Sequence, residues 1–320
     1  MQHVSKARVL RGFFFVHGFS AFTPLFAGAT RDNTITMKAV LPTRSDPDSV
    51  CVALGPYRNL STLTAATLFL HPHCQVLNHA GGQVFGNPDI DFLAAFSPAR
   101  LDRFVAWARE VSAAGERGYG GGSITLSHAF DEQHALKRRF ERAGLPLVKA
   151  DLRCLFWKEP LRTSNWIRKQ RIDLGAIFDL DSRLRFMLPI RNPIDCARSN
   201  LKTGHVRLFE GLDAHSSAPD VIDAILDEID WFTQLGAAHP KRFFHFFAHD
   251  LSRMTLIRMA TFLGIEPLEA WLADAMDVMQ VTKPYVHDDD LKAWYRDRVM
   301  QRFAVRPDLC HGLLAFIDAA

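Results

Sequence analysis

The chain predicts an α/β fold of the P-loop type, a three-layer arrangement with a central, mainly parallel sheet covered by helices. Three observations predict it. Short apolar runs alternate with segments of helical spacing, the pattern of parallel strands joined by crossover helices. Residues 51–70, CVALGPYRNLSTLTAATLFL, pass from strand through a turn to a helix. No internal repeat, low-complexity tract or convincing linker divides the chain, so residues 46–320 are expected to form one domain preceded by an arm or edge segment, residues 1–45.

The elements follow in order. Within the arm, NTITMKAVL (33–41) is a strand or edge candidate. Lys6, Arg8 and Arg11 precede an apolar run that superficially resembles a signal peptide, but His17, Gly18 and Pro24 interrupt it and it is too short to span a bilayer. An arm packed on the domain is the preferred reading. Residues 51–54 are the first strand and 61–70 the helix behind it, closed at His71-Pro72 because proline disfavours a helical residue before it. A second strand covers 75–77. Residues 97–114 carry Leu101, Phe104, Val105, Trp107 and Val111 at helical spacing, with Ser97 as cap and Pro98 at the first position. GERGYGGGS (115–123) is expected to be a flexible connection. Further expected strands are 124–126, 152–157, 184–190 and 242–248, the last with Phe243, Phe244, Phe246 and Phe247 as core. Further helices are 131–143, one opening at Asn192-Pro193, 221–235 and 251–263, with Asp288 to Asp290 as a solvated helix start.

Composition bounds the function. With 320 residues, 48% hydrophobic and 23% charged, the chain can bury a sizeable core. A formal charge of +3 does not by itself argue for nucleic acid or an anionic membrane. Five cysteines without CxxC spacing suggest neither zinc nor a disulfide framework, and a reducing, cytoplasmic setting is the simpler expectation. His71 and His73 flank Pro72 without a third ligand at metal spacing.

The chemistry is expected at two stretches. In the first, Gly55 and Pro56 make a turn, followed by Arg58, Ser61 and Thr62 at a helix start, where unpaired N–H groups and the helix dipole favour an anion. The nucleotide-triphosphatase form with Gly-Lys-Ser/Thr is absent, and no acidic residue stands out at a buried strand end to hold magnesium. In the second, LRFMLPIRNPIDCARSN, Arg191 ends a buried strand, Pro193 opens a helix, and Ser199 lies less than two turns along. An Arg fork and a hydroxyl are suitable donors for a terminal phosphate.

Together the two stretches resemble those of P-loop sulfotransferases that use 3′-phosphoadenosine 5′-phosphosulfate (PAPS), with the tyrosylprotein and carbohydrate branches nearest in pattern. The matching positions are Gly55, Arg58, Ser61, Thr62 and Leu63 for the 5′-phosphosulfate loop, and Arg191, Asn192, Pro193, Asp195 and Ser199 for the 3′-phosphate motif. Asn59 and Leu60 depart from the usual hydroxyl and glycine. Leu60 conflicts with the loop, since a residue with a Cβ resists a left-handed backbone. LFWKEPLR (155–162) is similar to the family's strand-ending Lys-x-Pro, and HFFAHDL with FLGI to its late strand and helix. The resemblance thus covers residues 51–265.

It implies a cofactor-binding set in the loop (Gly55, Pro56, Tyr57, Arg58, Asn59, Leu60, Ser61, Thr62) and in the second motif (Arg191, Ser199). PAPS is the implied co-substrate and PAP the product, with no metal. Arg58 and Lys158 would neutralise the leaving oxygen. His79 stands where the nearest branch has a glutamate base, and a neutral imidazole can accept the acceptor's proton. His128 is the rival base. The expected acceptor is a carbohydrate, lipid-linked sugar or other small molecule, and neither nucleic acid nor a transmembrane segment is expected. The segment Lys283-Pro284-Tyr285 is a candidate for closing over the nucleotide. The competing readings are a P-loop nucleotide or small-molecule kinase and a non-catalytic nucleotide-binding protein.

Overall fold

The computed structural model describes residues 46–279 and 286–318. The chain divides after Leu41, and all of these residues belong to the second unit, Pro42–Ala320. The expectations for residues 1–45 and for Lys283-Pro284-Tyr285 lie outside the described residues.

The elements run β1 Ser49–Ala53, α1 Ser61–Phe69, β2 Cys74–Asn78, α2 Gly81–Val84, α3 Pro98–Val111, β3 Gly122–Ser123, α4 Ala135–Ala143, β4 Cys154–Lys158, α5 Pro160–Gln170, α6 Leu174–Leu180, β5 Leu184–Ile190, α7 Pro193–Thr203, α8 Ala218–Ala238, β6 Phe243–Phe247, α9 Arg253–Leu263, α10 Glu269–Val278, α11 Asp289–Phe303 and α12 Pro307–Asp318. The strands form one six-stranded sheet in the order β3-β2-β4-β1-β5-β6. All neighbours are parallel except β2 and β3.

Period-two alternation divides β1 between two cores. Val50 and Val52 pack with Leu155, Trp157, Phe186 and residues of α3 and α8, whereas Cys51 and Ala53 pack with Cys154, Phe156, Met187 and residues of α1 and α9. Helices thus cover both faces, as a parallel sheet requires. Cys51, Cys74, Cys154 and Cys196 are free and buried, behaving as small apolar groups. Within β6, Phe243, Phe246 and Phe247 are buried and Phe244 packs against the core, as expected. Asp288 caps α11 through a bond from Leu291 N–H. No helix among the described residues is long and apolar enough to cross a membrane.

Two expectations are corrected. Residues 124–126 are a short 3-10 turn, not a strand. Ser123 Oγ accepts from Thr125 N–H, and Ser127 N–H donates to Ile124 C=O, which diverts the backbone from the sheet. The edge strand is instead Gly122–Ser123, which lies inside the glycine-rich stretch. That stretch is also more than a connection. Gly115 and Gly122 pair as an antiparallel bridge, and a Cβ on either would strike backbone of the opposite arm.

The strand order explains where a ligand belongs. After β1 the chain builds β2, β3 and β4 on one side, then returns to lay β5 and β6 on the other. Such a reversal opens a crevice at the carboxyl ends of the strands. The turn leaving β1 there is tight: Gly55 has φ +93°, and a Cβ added to it would lie 2.3 Å from Leu188 Cδ1. Gly55→Ala is therefore expected to lower stability by about 2–4 kcal/mol, combining backbone strain with overpacking. Chemical denaturation of the variant against wild type would check this.

Candidate active site

The carboxyl ends of β2, β4, β1 and β5 lie side by side and deliver His79, Lys158, the 54–60 loop and Arg191 to one region. A cavity of about 340 Å³ there is walled by Arg58, Leu60, Ser61, Thr62, His79, His128, Lys158 and Arg191, among others. The two distant motifs therefore meet in one cleft. Arg58 Nε donates to Ser199 Oγ at 2.9 Å, so a side chain from the first motif bonds directly to one from the second. No carboxylate lines this cavity among the described residues.

The loop is held from behind. Asn59 is buried, its Nδ2 donating to Pro189 C=O and its Oδ1 accepting from Arg191 N–H at 2.8 Å. Asn200 Nδ2, on α7, donates to Tyr57 C=O at 2.9 Å. Gly55 N–H is spent on Ser164 Oγ at 3.0 Å. Gly55, Pro56 and Asn59 do not line the cavity, so they shape the loop rather than face a ligand. Arg58 and Leu60 adopt φ of +63° and +61°. The side chain at position 60 thus does not prevent the left-handed turn, although its strain is real.

α1 begins without a side-chain cap and without an acidic residue in its first turn. Its first N–H groups and positive dipole end are left for an anion at Ser61 and Thr62. By contrast, Asn192 Oδ1 already caps α7 through Ile194 N–H. Ser199 is buried and absent from the cavity wall, its hydroxyl held by Arg58. Arg191 Nη2 lies 3.5 Å from Asp195, whose other oxygen is 2.7 Å from His287 Nε2.

Opposite the loop is a chain of polar contacts. Lys158 Nζ lies 3.0 Å from His79 Nε2, and His79 Nδ1 lies 3.4 Å from Glu159 Oε1. An ammonium can only donate, so Nε2 accepts and the proton of the neutral ring sits on Nδ1, facing the carboxylate. Glu159 is fully buried and also accepts from Tyr57 OH and from Gly81 N–H at 2.9 Å. Burial pushes its carboxyl up, but His79, Tyr57 and the Gly81 N–H outweigh this and leave it below the ordinary value. Burial lowers the His79 imidazole, Glu159 opposing and Lys158 and Arg162 adding. Lys158 is pushed down to about 8 by burial, with Glu159 opposing and Arg58 adding. His79 and Ala80 have φ of +61° and +81°, so this corner is strained as well.

His128 faces the same cavity, its imidazole lowered by burial and by Arg58 and Lys158. Asn78 Oδ1 and Ser127 Oγ are buried on this wall without a hydrogen-bond partner among the described residues. Such orphaned atoms suit a polar ligand.

Sequence reasoning missed Glu159, a carboxylate one residue beyond a strand end. It also missed His205 and Tyr119, which bond to each other and line the cavity. Only the adjacency of Glu159 to Lys158 could have signalled its role. His71 has a structural use: its Nδ1 accepts from His73 N–H, and its Nε2 lies 2.8 Å from Glu266 C=O. Burial holds its imidazole down to about 4.

No family model matches the chain, and no curated protein matches it. The solved structures that it is similar to include mouse sulfotransferase SULT7A1 complexed with PAP, at 10% identity over 87% of this chain and 90% of that one, with a TM-score of 0.43. A sulfotransferase from Alicyclobacillus acidocaldarius is 13% identical over 81% and 95%, TM-score 0.38. Sulfotransferase STF9 from Mycobacterium avium is 14% identical over 72% and 68%, TM-score 0.36.

The Asn59 bridge gives a direct test of how the motifs are joined. Asn59→Ala removes the acceptor of Arg191 N–H and the donor to Pro189 C=O, and is expected to cost about 2–4 kcal/mol. Asn59→Asp keeps only the acceptor and is expected not to rescue the loss, as urea unfolding of both variants would show.

Proposed function

We propose that the protein is a PAPS-dependent sulfotransferase that moves a sulfuryl group to the hydroxyl of a carbohydrate, lipid-linked sugar or other small acceptor. The observation that carries this reading is the convergence of Arg58 and Arg191 on one cavity that, among the described residues, no carboxylate lines. A nucleotide with phosphates at both its 5′ and 3′ sides needs cations at two separated points, and the two motifs supply them. The donor set fits such a polyanion: guanidinium groups, the Lys158 ammonium, hydroxyls of Ser61 and Thr62, and the uncapped start of α1. When bound, PAPS supplies the activated sulfuryl group.

The chain's own residues would then divide the work. The α1 N-terminus with Ser61 and Thr62 holds the 5′ side, and Arg191 holds the 3′-phosphate. Ser199 joins it once its hydroxyl is released from Arg58. The bond between Arg58 and Ser199 supports a bridging role for Arg58 between the two motifs, with Lys158, 3.0 Å from His79 Nε2, as the cation beside the base. Lys158 neutralises charge on the leaving oxygen, a task of positioning and electrostatics. His79 takes the acceptor's proton at Nε2, while Glu159 holds the ring and stabilises the imidazolium formed, the logic of an oriented base. With no acceptor in place, Lys158 covers that nitrogen.

The kinase reading would need carboxylates for magnesium. Glu159 is the carboxylate nearest the base, and it is buried behind His79 and engaged by Tyr57 and Gly81. Calorimetry with PAP, 5′-AMP, ADP and ATP tests the assignment. PAP is expected to bind tightest, by at least about tenfold over 5′-AMP, with the preference lost in Arg191→Ala. Equal affinity for PAP and 5′-AMP would remove the assignment.

The pH profile tests the base. His79 must be unprotonated, so kcat/KM is expected to rise with pH through a value below 6.5, the histidine being lowered. Lys158 must be protonated, so the rate is expected to fall as pH rises through about 8. Glu159→Gln withdraws the partner that favours the charged ring. It should move the acid limb lower still and cut kcat by about ten- to a hundredfold. An unchanged acid limb in Glu159→Gln, or full activity in His79→Ala, would assign the base elsewhere, with His128 next in line.

A further inference from the structure

A second hydrogen-bonded chain enters the cavity, and the proposed transfer to an acceptor uses none of its side chains. Thr203, the last residue of α7, donates its hydroxyl to Ser199 C=O at 2.7 Å, so its oxygen is left to accept from His205 Nδ1. That fixes the proton of the neutral His205 ring on Nδ1 and leaves Nε2 to accept from Tyr119 OH. Gly204, between Thr203 and His205, has φ +73°, the left-handed turn that ends α7 and brings the imidazole within reach of the Thr203 hydroxyl. The order is hydroxyl, base and orienting group. Such an arrangement activates a hydroxyl for attack.

Tyr119 differs from the other tyrosines of the described residues. Tyr57 gives its OH to the buried Glu159, and Tyr295 is fully buried with its OH on Leu313 C=O. Tyr119 is 42% exposed and walls the cavity together with Arg58 and Lys158. Its ring meets the His79 imidazole edge-on with centroids 4.6 Å apart, and the Arg162 guanidinium lies 5.2 Å over it. The phenol thus stands at the reacting end, where an acceptor hydroxyl has to come. A Cβ on either flanking residue, Gly118 or Gly120, would meet nothing within 4 Å, so neighbouring atoms leave the ring room to turn toward a donor. Burial pushes the phenol up against the pull of Arg162 and Arg58, so it keeps its proton and needs a base. Burial, Arg58, Lys158 and His79 lower the His205 imidazole, which is therefore neutral and able to serve.

We propose that Tyr119 is a covalent modification site of this protein, its phenol oxygen taking a sulfuryl group from PAPS bound in the same cavity, with His205 as the base. Tyr119 Oη forms the new bond to sulfur while the bond from sulfur to the bridging oxygen breaks. That oxygen leaves with PAP and the electron pair, and the phenolic proton passes to His205 Nε2. The transfer rests on the sulfotransferase reading, whereas the paired phenol and imidazole do not.

The test incubates the full chain with PAPS and no added acceptor, with ATP in place of PAPS as the control, and maps the tyrosyl peptides by mass spectrometry. Wild type is expected to gain a single sulfation on the peptide that holds Tyr119, Tyr119→Phe to gain none, and His205→Phe to be labelled about tenfold or more slower. Mapping the wild type alone keeps the site testable if either variant fails to fold, which thermal melting would show. A second measurement needs no nucleotide: N-acetylimidazole, which acylates reactive phenols, is expected to modify Tyr119 about tenfold faster in wild type than in His205→Phe. No sulfation, its arrival on a residue other than Tyr119, or equal rates in wild type and His205→Phe with either reagent would overturn the proposal. PAP binding in calorimetry with Tyr119 left unlabelled would remove the self-transfer and leave the sulfotransferase reading. Absence of PAP binding, or labelling from ATP in place of PAPS, would remove both.

Discussion

A buried carboxylate has to be compensated where it sits, and Glu159 turns that requirement into a framework. Its two oxygens take Tyr57 OH from the loop after β1, Gly81 N–H from the turn after β2, and face His79 Nδ1. Glu159 itself follows β4, which lies between β2 and β1 in the sheet. Three adjacent strand ends are thereby tied to one charge. Asn59 extends the seam to β5 by bonding both Pro189 C=O and Arg191 N–H. Losing a partner of such a group costs more than an exposed ion pair ever contributes, so the seam constrains geometry strongly.

That seam also accounts for where the backbone is strained. Of the five non-glycine residues with positive φ among the described residues, four, Arg58, Leu60, His79 and Ala80, sit at the two turns that Glu159 and Asn59 hold; the fifth, Arg171, closes α5. Each left-handed residue with a Cβ costs about 1–2 kcal/mol, which local sequence alone would not sustain. What the strain achieves is orientation: it leaves the start of α1 uncapped and turns His79 toward Lys158.

Much of this was legible in the sequence because it is local. The β1–α1 turn, the Arg191-Asn192-Pro193 helix start and the buried Phe-rich strand are each written in a few consecutive residues, and each folds as its spacing dictates. What escaped was non-local. Glu159 looks like a solvated residue before Pro160 until β2 and β1 are placed on either side of it. Asn59 reads as a departure from a hydroxyl pattern, yet it is the bridge between the two motifs. Residues 124–126 have the composition of a strand, but Ser123 and Ser127 bend them off the sheet edge. The glycines at 115 and 122 signal flexibility by composition and close contact by structure, and only the opposing backbone decides between the two.

On the proposed reading, the same seam serves two jobs that a transfer site must combine, holding an anion and keeping a base. Arg58, Lys158 and Arg191 reach the cavity from the ends of β1, β4 and β5 and Arg117 from the glycine-rich stretch, while the histidines come from the turn after β2, from the 128 turn and from His205. Bringing positive charge close to a base ordinarily weakens it, and Lys158 and Arg162 do lower His79. Glu159 works against that on the far side of the ring. It draws Nδ1–H toward itself and leaves Nε2 as the acceptor, so a base can persist beside enough positive charge to hold a polyanion.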